Sequence, residues 1–262
     1  ITLRADNKGE GGIFSLFALI RKRAKWAYLF AIIGGSTLLA DGVITPSITI
    51  VSAIEGLTIV NPRVPVLPIV ILIVTALFFV QKYGTRAVGE SFGPIMLVWF
   101  TMLGVLGFSQ IVGHPSILRA IDPWYAYRFL VHTPNGFLLM GAVFLCTTGA
   151  EALYSDLGHC GLKNIRITWG VVKTALLLNY FGQGAWIIGN SDKIYDWTNP
   201  FFAIMPSWFL ITGVIISTAA AVIASQALIS GSYTLISEAI SLNFWPKVKI
   251  NYPTNVKGQM YI

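Results

Sequence analysis

The sequence predicts an all-α fold, a polytopic transmembrane helical bundle, and three observations carry that expectation. Of the 262 residues, 55% are hydrophobic and only 11% charged, whereas a soluble domain has roughly 25% charged residues. The apolar residues gather into six runs, each close to or above the roughly 17–25 residues that a spanning helix needs. The Lys and Arg residues fall between those runs and mostly on one side of them. The formal charge of +7 therefore points to loops beside anionic lipid. No basic face for nucleic acid is laid out.

Residues 1–25 read as a cytoplasmic loop. Asp6-Asn-Lys-Gly-Glu-Gly-Gly12 is a turn segment. No Gly-Lys-Ser/Thr follows it, so it lacks the pattern of a phosphate loop. Ile13–Ile20 is apolar but too short to span, and Arg21, Lys22, Arg23 and Lys25 close it. It is expected to be an interfacial amphipathic helix. The chain opens without an initiator Met and stops after Gly258-Gln-Met-Tyr-Ile262, and the expectation is an internal piece of a longer protein.

The six spans are expected at about 26–60, 66–83, 92–112, 136–157, 167–189 and 207–237. Short polar or Pro-containing loops join them, as in a helical bundle. Residues 238–262 form a second cytoplasmic loop. With six alternating spans, 13 of the Lys and Arg residues lie on the side of the N-terminus and 4 on the other. Lys173, inside the fifth run, can snorkel to the first side. The excess assigns that side, and both ends of the chain, to the cytoplasm. The aromatics near Trp124 and from Tyr195 to Phe202 then mark the outer interface.

Within the spans, polar groups matter most. An ionisable group at mid-span costs about 2.5–3.5 kcal/mol on insertion scales, so its default role is functional. Two acids sit this way, Asp41 and Glu151. At 100° per residue, Asp41, Thr45, Thr49, Ser52 and Glu55 share one oxygen-rich stripe. Pro46 has no N–H, so the carbonyl of Gly42 loses its helical partner. A carboxylate, a hydroxyl and a freed carbonyl are the hard oxygens a dehydrated alkali cation needs. The fourth run repeats the pattern: Thr147, Thr148, Glu151 and Ser155 lie at helical spacings beside Gly149. Broken helices at mid-membrane recur in secondary transporters.

Blander roles stand beside these. Glu151 could pair with Lys173 or a buried hydroxyl, and Asp41 could cap a kinked helix. Asp156 and His159, at i and i+3, form either a gate or proton relay or a simple surface pair. The amides and glycines of Asn179 to Gly184 favour helix packing, and cavity lining is the alternative. Ser217, Ser225, Gln226, Ser230 and Ser232 suit hydrogen bonding between helices. The three histidines are scattered, which argues against a metal site other than for the transported ion. Cys146 and Cys160 have no metal spacing and are expected as free thiols. No Gly-x-Ser-x-Gly elbow or His-Glu-x-x-His motif indicates an enzyme, no organic cofactor is implied, and no Thr-Val-Gly-Tyr-Gly filter indicates a K+ channel.

Five ordered motifs then resemble the KUP/HAK/KT potassium uptake permeases. They are Asp6-Asn-Lys-Gly-Glu-Gly-Gly12; Asp41-Gly-Val-Ile-Thr-Pro46 with Ser52-Ala-Ile-Glu-Gly56; Gly149-Ala-Glu-Ala-Leu-Tyr154 with Asp156-Leu-Gly-His159; Leu178-Asn-Tyr-Phe-Gly-Gln-Gly184; and Ile223-Ala-Ser-Gln-Ala-Leu-Ile-Ser-Gly231. The resemblance implies a twelve-span permease whose core is an inverted repeat of the amino acid–polyamine–organocation type, followed by a cytoplasmic domain. It implies K+ uptake across the cell (inner) membrane, coupled to H+ by symport and alternating access. This chain matches spans three to eight, so the missing spans and C-terminal domain of the parent become its partners along with the lipid bilayer, and a homodimer is compatible. Asp41 and Thr45 match the acidic third-span position and its hydroxyl, and Glu151 and Thr148 match those of the broken sixth span. Thr49 joins the expected K+ ligands as the next hydroxyl on the stripe. An amino-acid or organic-cation permease of the same architecture is the alternative, and two acids in one cavity oppose an anionic substrate group.

Overall fold

The computed structural model describes residues 11–83, 86–146, 149, 161–191 and 199–251, with side chains described outside 80–90. The described residues are all-α and contain no strand. In chain order the helices are α1 (Ile13–Ile20), α2 (Ala27–Val60), α3 (Val66–Tyr83), α4 (Arg86–Gly113), a 3₁₀ helix (Pro115–Ile121), α5 (Pro123–His132), α6 (Gly136–Leu145), α7 (Leu162–Gly189), α8 (Pro200–Ala203) and α9 (Leu210–Ser241). They divide into two compact units. One holds Ile1–Trp99, Ala152–Ile167 and Ile211–Ile262; the other holds Phe100–Glu151 and Thr168–Leu210.

In the first unit α2 is the central element. Its buried line runs through Ala27, Ala31, Gly35, Gly42, Pro46, Ile50, Ala53 and Gly56, which are mostly small residues. Its large apolar side chains point the other way: Phe30, Ile33, Val43, Ile44 and Ile48 are exposed, and Val43 is 74% exposed. A soluble helix is patterned the opposite way. Exposed apolar area on this scale requires lipid or further protein against it. α2, α4 from Ser91 and α9 are each long and apolar enough to cross a membrane.

Local chemistry sets the element ends. α2 stops at Asn61, whose backbone is extended (φ −143°, ψ 105°), as a residue before proline prefers. Its side chain accepts the Arg63 N–H at 3.1 Å. α9 ends in a left-handed Asn243 (φ 60°), with the Phe244 N–H returning to the Ala239 carbonyl at 2.8 Å. That Schellman closure turns Phe244 onto Phe17 and Phe14, with ring centroids 5.2 and 5.8 Å away. α1 is thereby wedged against both long helices: Phe14 packs with Ala31 of α2 and with Leu235 and Ala239 of α9. A Cβ on Gly35 would stand 2.9 Å from the Phe14 ring. Further along, Ile50 and Ile54 of α2 pack on Val70 and Leu77 of α3 and on Ala221 and Val222 of α9.

The second unit is built on a close helix crossing. A Cβ on Gly107 of α4 would overlap the Leu178 carbonyl of α7, and one on Gly182 would overlap the backbone of Gly107. Only glycine lets two backbones meet this way. The segment between α4 and α6, expected as a plain outer loop, holds the 3₁₀ helix and α5. Asp122 accepts the Trp124 N–H at 3.0 Å, and Pro123 occupies the first turn, the usual start signals of a helix. Their shortness hides them from an apolar-run reading. α4 also begins before the third apolar run and carries Pro94 inside it.

Because the crossing is backbone on backbone, Gly107→Val has no soft neighbour to displace. It should destabilise the parent protein by about 2–4 kcal/mol, above the usual overpacking cost. Gly113→Val, with nothing within 4 Å of the added carbon, should be tolerated. The amount of monodisperse protein surviving mild heating in detergent measures both, and equal survival of the two variants would contradict the crossing.

Candidate functional site

α2 places three of the expected site residues together. Asp41, Thr45 and Thr49 are half-buried and lie one turn apart beside the buried Gly42–Pro46–Ile50 line. The Thr45 hydroxyl donates to Asp41 Oδ1 at 2.5 Å. Thr49 donates to the Thr45 carbonyl at 2.8 Å and lies 3.2 Å from the Pro46 carbonyl. Pro46 sits within a continuous helix and has no N–H to return to the Gly42 carbonyl. About two turns of α2 thus gather a carboxylate, two hydroxyls and one backbone carbonyl, that of Gly42, without its helical partner. A hydroxyl that gives its one proton to a carboxylate still has lone pairs to offer. The set can hold a monovalent cation without any nitrogen or sulfur ligand.

The rest of the stripe diverges from this cluster. Farther along the helix, Ser52 and Glu55 are exposed. Thr148, Glu151, Asp156 and His159 lie outside the described residues. Among the described residues no group of three His, Cys, Asp or Glu side chains forms a metal cluster.

α9 walls the Asp41 turn. A Cβ on Gly42 would overlap Ser232 Oγ, so the bare backbone of α2 rests directly on the Ser232 side chain of α9. Ser225, with no exposed surface, donates to the Ala221 carbonyl at 2.7 Å and stands 3.5 Å from the Pro46 carbonyl. Seven residues on α9 therefore face four on α2, running in opposite directions. Sequence reasoning assigned these serines to helix–helix hydrogen bonding. Their hydroxyls mostly bond carbonyls of their own helix, and they serve the interface chiefly by being small.

In the second unit α6 ends at Leu145, well inside the fourth apolar run. The Tyr180 hydroxyl of α7 donates to the carbonyl of Cys146 at 2.7 Å, and Gly149 beyond it has φ 108°. A side chain 34 positions away thus satisfies a carbonyl left over at the helix end. Sequence reasoning missed Tyr180. The one available signal was a phenol inside a span, beside glycines that permit close approach. The thiol of Cys146 is free and exposed. The broad groove of about 700 Å³ between α4 and α7 is lined by Phe100, Gly104, Phe108, Ala175 and Leu178. Its Ser109 and Thr174 hydroxyls are bonded to Leu106 and Gly170 carbonyls of their own helices, so it offers an ion little.

Comparison with known proteins follows from the whole chain. The family model described as "K+ potassium transporter integral membrane domain" matches residues 1–262. The chain is 61% identical to a protein of Cytophaga hutchinsonii named "Probable potassium transport system protein Kup", over all of this chain and 41% of that protein. Proteins of the same name from Flavobacterium psychrophilum and Clostridium perfringens are 59% and 55% identical, over all of this chain and 41% and 42% of their own lengths. The chain thus spans about 41% of the relatives it matches. No solved structure matches it.

The Tyr180 bond gives a test of the α6 end. Tyr180→Phe removes one neutral hydrogen bond, about 1 kcal/mol, and should loosen the turn at Cys146. Maleimide modification of Cys146 in the parent protein should speed up roughly fivefold. An unchanged rate would mean that the phenol does not hold this helix end.

Proposed function

The chain belongs to the K+ potassium transporter integral membrane domain family, and on that footing we propose that it forms part of a potassium uptake permease, a secondary transporter that moves K+ inward by symport with H+. The observation that carries this proposal is the Asp41–Thr45 pair, a carboxylate in the middle of a 34-residue apolar helix. A carboxylate there is costly unless it lines a site. The names of the relatives support K+ as the ion that the site takes.

In this proposal K+ leaves its hydration shell against the Asp41 carboxylate, the Thr45 and Thr49 hydroxyls and the carbonyls around Pro46. Thr148 and Glu151 of the fourth apolar run are the further ligands in this proposal, together with groups from spans outside these residues. A desolvated carboxylate favours its proton, and a neighbouring cation favours the ionised form. Proton and K+ occupancy are then linked, and one of the two acids exchanges a proton as the site faces each side in turn. Asp156 and His159 stand toward the cytoplasmic end as gate or relay. The orientation rests on the Lys and Arg excess at the N-terminal side, with both ends of the chain in the cytoplasm and six spans across the cell membrane. An inverted-repeat core, which the family resemblance implies, draws its ion ligands from interrupted helices near mid-membrane.

Reconstituted parent protein tests both parts. Uptake of 86Rb+ should fall at least about tenfold in Asp41→Asn and in Glu151→Gln, the loss of about 1.4 kcal/mol or more of differential binding. Near wild-type uptake in either variant removes that residue from the site. With the membrane potential clamped, an acidic outside should speed wild-type uptake, and indifference to the proton gradient would exclude symport.

A further inference from the structure

The turn of α2 that carries the cation ligands is the turn least able to hold itself. Pro46 supplies no N–H to the Gly42 carbonyl, and its ring crowds that same carbonyl. Gly42 adds no side chain to stiffen it. Thr45 holds the carboxylate from within α2, but the position of the turn itself has to be set from outside the helix. α3 packs further along, at Ile50 and Ile54. α1 packs further back, at Ala31, Gly34 and Gly35. Between these two anchors, α9 meets Gly42 through Ser232 and Pro46 through Ser225.

We infer that Ser232 is a positioning residue for the Asp41 carboxylate: its hydroxyl, seated directly on the bare face of Gly42, sets how closely α9 approaches and so where the adjacent Asp41–Thr45 pair stands. The Ser232 hydroxyl is itself fixed, donating to the Leu228 carbonyl at 2.9 Å. It is thus a spacer of set length and takes no part in the cation's own shell. A side chain at 42 has to push this spacer, and the carboxylate one residue earlier moves with it. The proposal rests on Asp41 being a cation ligand.

The geometry makes the effect reversible in a specific way. A Cβ at 42 overlaps Ser232 Oγ but stands 3.5 Å from Ser232 Cβ, an ordinary contact. Removing the hydroxyl should therefore make room for the added methyl. A glycine needed for backbone freedom would show no such rescue.

The experiment is concentration-dependent 86Rb+ uptake by the full-length parent protein in proteoliposomes, with KM and Vmax separated and the inserted amount measured. Gly42→Ala should raise KM about tenfold or more, Ser232→Ala alone, which takes the spacer away, should raise it about threefold to fivefold, and the double variant, in which the added methyl fills the vacated space, should return to within about threefold of wild type. A lower amount of folded protein would reduce Vmax and leave KM alone. Should Gly42→Ala not reach the membrane, Ser232→Val makes the same test from the other helix, since a methyl bulkier than the hydroxyl then meets Gly42. An unchanged KM in whichever of the two is inserted overturns the proposal, as does a double variant as impaired as Gly42→Ala. Asp41→Asn run alongside separates the two levels. If it transports normally, the cation site itself fails and the positioning role with it. If it is dead while Gly42→Ala is normal, only the role of Ser232 falls.

Discussion

A carboxylate in the middle of an apolar helix has to be turned away from hydrocarbon and given partners, and the first unit is arranged around that requirement. α2 meets it by keeping glycine and alanine on the line that faces α9 and α3, with its bulky aliphatic side chains on the far side. Small residues let α9 come close enough to shelter the Asp41 turn. Thr45 supplies the hydrogen bond that a lone carboxylate would otherwise lack. Pro46 opens the backbone just where those oxygens are wanted. The same features that would weaken a soluble helix are here what makes an oxygen-rich turn.

The second unit solves a related problem by a different device. α6 stops inside an apolar run, where leftover carbonyls have little access to water and each unsatisfied one is costly. The Tyr180 hydroxyl takes up the carbonyl at Cys146. The glycine crossing of α4 and α7 at Gly107 and Gly182 gives α7 a backbone-to-backbone seat from which that phenol reaches across. In both units glycine acts by absence: what it leaves out determines which polar group can arrive.

How much of this is legible in the sequence depends on the range of the interaction. The all-α class follows from composition and run length, and the membership from five ordered motifs. The Asp41, Thr45 and Thr49 cluster follows from the helical period, because its members lie within two turns of one helix. The short 3₁₀ helix and α5 escape, since seven and ten residues give no long apolar run and their signal is the local cap at Asp122. Ser232 and Tyr180 escape for a different reason. Their roles depend on partners 190 and 34 positions away, and no local pattern distinguishes them from other small or aromatic residues in spans. Ser52 and Glu55 mark the opposite limit. They fit the stripe by angle but are exposed, and angle alone does not say how far along its length a helix face is covered.

The central claim is that the Asp41 turn of α2, held by α9, coordinates the transported cation. The direct measurement is a structure of the full-length parent protein soaked with Tl+, whose anomalous scattering marks K+ positions. The account predicts an anomalous peak in direct contact with the Asp41 carboxylate and the Thr45 hydroxyl, lost in Asp41→Asn. A peak elsewhere in the membrane region, with the Asp41–Thr45 hydrogen bond unaltered and no cation beside it, would contradict it.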